Sequence, residues 1–383
     1  MELAVLGEGC LAEAHDSSRI AIVLPDLRVG GAERLHVNLA REFIARGVGV
    51  EFVLRNSRGE LLEDLPAGAT IHSLSAPRVR SVLQPLVKYL RERRPDAVLS
   101  AMWPLTVACP LAARIARFSG RVVVSEHSVQ SLAYSDRGLV HRALMRASMA
   151  IGYRLASGRV GVSAGVAEDM ARLSLMDSSR FSVVYNPAAS GLVRDPERYV
   201  EKRRSQAERL ILAVGNLKGV KRHDTLVRAF AMANVPGTKL CIVGEGSERS
   251  SLEALAASLG VADRVLLPGF CAEVSVWYEK ASIFVLSSER EGFGNVLVEA
   301  MEHGVPVIST DCPSGPREIL RGGEFGRLVP VGDVEALARA IAEGLGVEHN
   351  WMAGVLRAMD FSAKNSADAY LKLLLPGFVA RSA

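Results

Sequence analysis

The chain has 383 residues, 49% hydrophobic and 23% charged, a composition that builds buried cores and excludes disordered, collagen-like and coiled-coil chains. At roughly 150 residues per domain, the length predicts two domains. The net charge of +4 is unevenly held: residues 1–200 carry 25 Lys and Arg against 20 Asp and Glu, whereas residues 201–383 carry 21 against 22.

Met1–Asp16 lacks a basic segment and contains Glu2, Glu8 and Glu13, so it does not read as a secretory leader. Gly7-Glu-Gly9-Cys-Leu-Ala12 resembles a dinucleotide fingerprint, but too few residues follow before the next strand for the helix such a motif needs. The five cysteines, Cys10, Cys109, Cys241, Cys271 and Cys312, are scattered without a C-x-x-C pair. They support neither a disulfide framework nor a zinc site, and a reducing compartment fits them best.

Short β-branched runs alternate with longer amphipathic ones. In the first half, strands are expected at 19–25, 48–54, 69–74, 97–101, 121–126, 159–163 and 181–185. In the second they are expected at 210–215, 239–244, 264–268, 282–286, 305–309 and 326–330. This rhythm specifies parallel sheets covered by helices on both faces, an α/β architecture of two doubly wound, Rossmann-like domains around a central cleft. Residues 186–209, with Pro187, Pro196, a charged run and no apolar periodicity, read as the inter-domain linker. The expected division is 17–190, 191–360 and a carboxyl-terminal helix within 361–383 that packs back on the first domain.

The first strand-to-helix loop contains Gly30 and Gly31, which let backbone approach a phosphate or sugar; a plain tight turn would use the same residues. Segments 78–94 and 137–159 are basic and look helical, so they fit an anionic lipid surface as well as an ordinary solvated face. Nucleic acid fits less well, because aromatics do not interleave with these charges. The apolar stretch 97–113 is interrupted by Pro104 and Pro110 and is too short to span a bilayer. His127 follows a predicted strand and therefore faces the cleft.

In the second half, Gly215-Asn216-Leu-Lys218-Gly-Val-Lys221-Arg222 forms the first strand-to-helix turn. Cations there oppose the helix dipole and suit charge developing on a departing diphosphate. Lys221 and Arg222 are the candidates. Gly244-Glu-Gly246 lacks the third glycine of a nicotinamide fingerprint. The strongest local signal is Glu291-Gly-Phe293-Gly294-Asn295-Val296-Leu-Val-Glu299, following a strand and opening a helix. Its free amides make an anion site for a diphosphate, contacted by Phe293, Gly294, Asn295 and Val296. Glu299 lies one turn further, with two acceptor oxygens suited to ribose hydroxyls, and Glu291 would meet a sugar on the other side of the diphosphate. Complementing the helix dipole is the plainer role open to both acids. No metal-ligand spacing or cofactor motif stands out.

Taken together, Gly30–Glu33, Val162-Ser163, Lys221, the Glu291/Glu299 pair and Pro306-Val-Ile-Ser-Thr resemble glycosyltransferase family 4, retaining enzymes of the GT-B fold. The resemblance implies catalytic roles for Glu291 at the donor sugar, Lys221 at the diphosphate and His127 near the transferred sugar, with Glu299 on the nucleotide ribose. Many members carry Arg where this chain has Asn216, leaving Arg222 or Lys218 as a substitute. Asp311–Leu320 is similar to a subset that assembles lipid-linked oligosaccharides, O-antigens and capsules, often from UDP-N-acetylhexosamines or UDP-hexoses.

The resulting expectation is a metal-independent, cytoplasmic hexosyl- or N-acetylhexosaminyltransferase that uses a UDP-sugar. Its acceptor would be a saccharide, carried on polyprenyl diphosphate at the inner membrane surface. A nucleotide-sugar epimerase and a non-catalytic nucleotide-sugar-binding subunit are the alternatives.

Overall fold

A computed structural model describes residues 18–379 except 29, 79–80, 192, 194, 206–207 and 348. The leader reading of Met1–Asp16, the Gly7–Ala12 motif and Cys10 lie outside the described residues. The first domain contains strands β1 (Arg19–Leu24), β2 (Gly49–Leu54), β3 (Ala69–Ser73), β4 (Ala97–Ala101), β5 (Arg121–Glu126), β6 (Gly158–Gly161) and β7 (Ser182–Val183). They form one parallel sheet in the order β3-β2-β1-β4-β5-β6-β7. Its helices are α1 (Gly31–Ala45), α2 (Leu83–Arg93), α3 (Leu105–Ala116), α4 (Gln130–Ala133), α5 (Leu139–Leu155) and α6 (Ala164–Ser174). The central strands β1 and β4 are apolar and buried along nearly their whole length, as a parallel sheet covered on both faces requires.

After α7 (Pro196–Arg204), the second domain builds β8 (Arg209–Val214), β9 (Thr238–Val243), β10 (Val265–Gly269), β11 (Ile283–Leu286), β12 (Val307–Thr310) and β13 (Arg327–Val329). These also pair in parallel, in the order β10-β9-β8-β11-β12-β13. Helices α8 (His223–Ala233), α9 (Arg249–Ser258), α10 (Ser275–Tyr278), α11 (Asn295–Glu302), α12 (Pro316–Ile319) and α13 (Val334–Gly346) accompany them. The last two helices are α14 (Trp351–Met359) and α15 (Ala363–Leu374). This is the GT-B architecture, two Rossmann-like α/β domains.

Helix α15 lies on the first domain's sheet. It buries Ala367, Tyr370, Leu371 and Leu374 in the same core as β1 and α1, and Arg121 donates to the Leu373 carbonyl at 2.7 Å. Within residues 186–209, expected as the inter-domain linker, the structure holds two features that the sequence did not show. Residues 196–204 are helical, with the Asp195 side chain accepting the Arg198 amide at 3.2 Å; a nearly all-polar helix has no apolar stripe to announce itself. Residues 189–191 are fastened to the second domain and α15's start: Ala189 bridges Ser362, and Glu302 accepts the Ser190 and Gly191 amides at 2.9 and 2.6 Å.

The domains meet along a built seam. Tyr185 stacks on Phe293, and Phe361 packs edge-on to both. The Ser163 hydroxyl donates to the Gly292 carbonyl at 2.8 Å, with Ser314 Oγ also 2.8 Å away. Glu318, on α12, accepts the Ala164 and Gly165 amides, so a carboxylate of one domain caps the α6 amino terminus of the other.

Candidate active site

In each sheet the strand order reverses once, between β1 and β4 and between β8 and β11. Open α/β sheets bind ligands beyond the carboxyl ends of strands at such a reversal. The second reversal brings together the Asn216–Arg222 turn after β8 and the Ser287–Gly294 loop after β11. These turns interlock: Ser287 donates to the Lys221 carbonyl at 2.9 Å, and the Glu289 amide donates to the Val220 carbonyl at 2.9 Å. From β12, the Thr310 hydroxyl donates to the Ser288 carbonyl at 2.6 Å.

On this rigid base, Lys221 Nζ meets Glu291 Oε1 at 2.7 Å, and the Ser288 hydroxyl donates to the same oxygen at 2.6 Å. Both ionic groups are mostly shielded from solvent, where a charge pair is stronger than on an open surface. Arg222 occupies a left-handed conformation and turns its guanidinium to Asp224 and Glu289. Asn216 and Lys218 are exposed on the same turn.

Gly294, at φ +105°, ends the loop and leads into α11, a backbone state costly for any other residue. Phe293 buries its ring in the aromatic seam, so its side chain does not line the cleft. Val296 is half-buried. The Asn295 side-chain oxygen accepts from Asn186 at 2.9 Å, and its amide nitrogen lies 3.5 Å from where Gly31 would carry a Cβ. Asn295 thus faces the first domain across the cleft. One turn on, Glu299 Oε2 accepts from the Tyr278 hydroxyl at 2.9 Å. Burial raises the Glu299 carboxyl above its usual range, opposed by that bond and by nearby Arg34.

From the first domain, Gly30 precedes α1, and Glu33 folds back so closely that a side chain at residue 30 would strike its carboxylate. Gly30, Glu33, Asp26 and Arg28 line, with Phe270 of the second domain, a recess of about 450 Å³. His127 follows β5, its Nε2 3.2 Å from Ser125 Oγ, which in turn lies 2.8 Å from the Tyr370 hydroxyl. Its Nδ1 is buried and unpartnered, and its ring stands edge-on to His36 at 5.1 Å. Burial, reinforced by His36, holds His127 far below the usual histidine range. Gly292 packs against the His127 carbonyl so tightly that a Cβ would overlap it. The Glu291 loop and His127 are therefore adjacent across the seam.

The structure thus brings Lys221, Glu291, Asn295, Glu299, Gly31 and His127 to one cleft. Sequence reasoning missed His36, Tyr278, Ser288 and Asn186. His36 repeats the buried stripe of α1, Tyr278 stands in a four-residue helix, and Asn186 lay in the presumed linker. Another sizeable cavity, about 410 Å³, opens at the amino ends of β11 and β12 beside Trp351, the opposite end of the sheet from Glu291. Among the described residues no group of acids, histidines or cysteines is arranged to hold a metal.

Comparison with known families identifies this architecture. The profile "Glycosyltransferase Family 4" matches residues 29–189 and "Glycosyl transferases group 1" matches 196–348. The chain belongs to glycosyltransferase family 4. It is 29% identical over 371 residues to the lipopolysaccharide core biosynthesis glycosyltransferase LpsE of Rhizobium meliloti, covering 90% of this chain and 96% of that one. It is 30% identical over 234 residues, 60% of this chain and 62% of the other, to a Campylobacter jejuni enzyme. That relative is an N-acetylgalactosamine-N,N'-diacetylbacillosaminyl-diphospho-undecaprenol 4-alpha-N-acetylgalactosaminyltransferase. Among solved structures, Anabaena HepE in complex with UDP-glucose has the same fold, with a TM-score of 0.70, 20% identity and coverage of 93% of this chain and 95% of that one. The chain is a glycosyltransferase.

Proposed function

We propose that the protein transfers a hexose or N-acetylhexosamine from a UDP-sugar to a hydroxyl of a lipid-linked or growing saccharide in envelope polysaccharide assembly, with retention of anomeric configuration. The observation that carries this reading is the Lys221–Glu291 pair at the β8/β11 reversal, one loop ahead of the α11 amino terminus and Glu299. The amides of Gly294, Asn295 and Val296 receive the diphosphate, and Glu299, oriented by Tyr278, receives the ribose hydroxyls. Binding divides the ion pair, the Lys221 ammonium turning to the diphosphate and the Glu291 carboxylate to hydroxyls of the donor sugar. HepE in complex with UDP-glucose and the undecaprenol-linked substrate of the Campylobacter enzyme support the donor and acceptor classes.

In the transfer, the bond from the anomeric carbon to the diphosphate oxygen breaks. Lys221 and the helix terminus stabilise the charge left on that oxygen. The acceptor hydroxyl attacks from the same face, and its proton passes to the departing phosphate oxygen. His127, neutral at pH 7, donates or accepts a hydrogen bond at the transferred sugar without adding charge. Released UDP, measured across a donor panel with undecaprenyl-diphosphate-linked saccharides, identifies the pair. Proton NMR of the product then reports the anomer, and inversion contradicts the proposed chemistry. UDP-sugar binding without transfer or hydrolysis on any donor contradicts the catalytic reading.

A further inference from the structure

Helix α5 buries one face and leaves a second apolar face open. Met145, Met149, Gly152 and Tyr153 turn inward, and a Cβ on Gly152 would press against Val107 of α3, so the helix is seated tightly on that side. On the opposite side Val140, Leu144, Ala147, Ile151 and Leu155 recur at intervals of four, three, four and four residues, which aligns them in one ridge. Val140 is 74% exposed, Leu144 65%, Ile151 56% and Leu155 39%, and Leu139 ahead of them is 75% exposed. At 1.5 Å per residue the ridge runs about 22 Å.

The charge on this helix has one sign. Residues 139–155 contain Arg142, Arg146, Arg154 and His141 and no Asp or Glu, and Arg137 stands just before them. Arg154 donates to the Ser174 and Leu175 carbonyls, which sets Leu175, itself 70% exposed, beside the ridge. An apolar stripe on a helix whose charged side chains are all cationic suits the boundary of an anionic bilayer. A second copy is the poorer occupant, because an isologous contact through this ridge brings together two helices that carry only positive charge. No described helix is long and apolar enough to cross a membrane, so attachment through this face is at the surface.

The ridge is also connected to the reaction centre. From His127 the chain passes through α4 to Tyr134, which packs on Trp103 and on His141, in the first turn of α5. We infer that α5 docks the enzyme on an anionic membrane through Val140, Leu144, Ile151 and Leu155, with Arg154 beside the ridge. Docking there presents the Trp103/Tyr134 side of the cleft to a lipid-linked acceptor. The inference rests on the lipid-linked acceptor reading and assigns its membrane face.

The test is co-sedimentation of the full chain with vesicles of phosphatidylglycerol and phosphatidylcholine, against phosphatidylcholine alone, at low and high salt. Wild type should bind the anionic vesicles and be released by salt. L144E/I151E should lower the partition coefficient about tenfold or more, and R146E should lower it less. Met232→Glu, a similarly exposed apolar site on α8, should match wild type. UDP binding by the ridge variants should be unchanged, showing an intact fold. Wild type failing to bind anionic vesicles at low salt, or L144E/I151E binding as wild type does, overturns the proposal. So does sedimentation velocity showing a dimer that L144E/I151E dissolves. Glu299→Gln separates the two claims, since it should lose UDP affinity and keep vesicle binding.

Discussion

Glu299 and Glu291, the two acids proposed to hold the donor, are each held by a hydroxyl. Glu299 accepts from Tyr278 and Glu291 from Ser288, so each carboxylate is aimed before ligand arrives. Glu299→Gln keeps shape and removes a charged acceptor, which should weaken UDP binding by about 10- to 100-fold in calorimetry. Glu291→Gln should chiefly lower kcat. The buried imidazoles give a separate, pH-based expectation. Burial pushes His36 and His223 down to about 4 from a usual value near 6.5, so between these values the unfolded chain binds protons that the folded chain does not. Stability is then full above about pH 6.5 and falls as pH drops toward 4. Tm measured across this range should decline, and His36→Gln should flatten the decline.

The loops and short helices do the positioning. Gly292 admits the His127 carbonyl where a Cβ would sit, so Gly292→Ala should force the domains apart, costing about 1–3 kcal/mol and lowering kcat more than it raises KM for UDP-sugar. Glu318→Ala removes a cap that crosses the seam to α6 and should cost about 1 kcal/mol, read as a lower Tm. These contacts also show what was legible. The Glu291–Glu299 segment announced itself because strand, glycines and helix start follow in order, and the structure places α11 where that pattern puts it. Helix α7 and the Ser190–Glu302 fastening did not, because charge without apolar periodicity looks the same in a linker as in a solvated helix. Tyr278 was invisible for another reason: its partnership with Glu299 joins residues 21 apart through tertiary packing alone.

At the scale of the whole molecule, alternation of strands and helices was enough to read two parallel sheets, because central parallel strands are apolar along nearly their whole length. It could not show how the two lobes are tied. That role falls to the Tyr185–Phe293–Phe361 cluster and to α15, whose Tyr370 reaches Ser125 beside His127. Removing residues 363–383 should expose the first domain's core, since each fully buried large apolar side chain contributes about 1.5–3 kcal/mol. The shortened chain should aggregate or bind a hydrophobic dye where the full chain does not. The measurement that tests the account most directly is a crystal structure with an intact UDP-sugar. It should show the diphosphate against the Gly294–Val296 amides, the ribose on Glu299 and the sugar on Glu291. A nucleotide seated elsewhere, with Glu299 still bonded to Tyr278 alone and Glu291 still paired with Lys221, would contradict it.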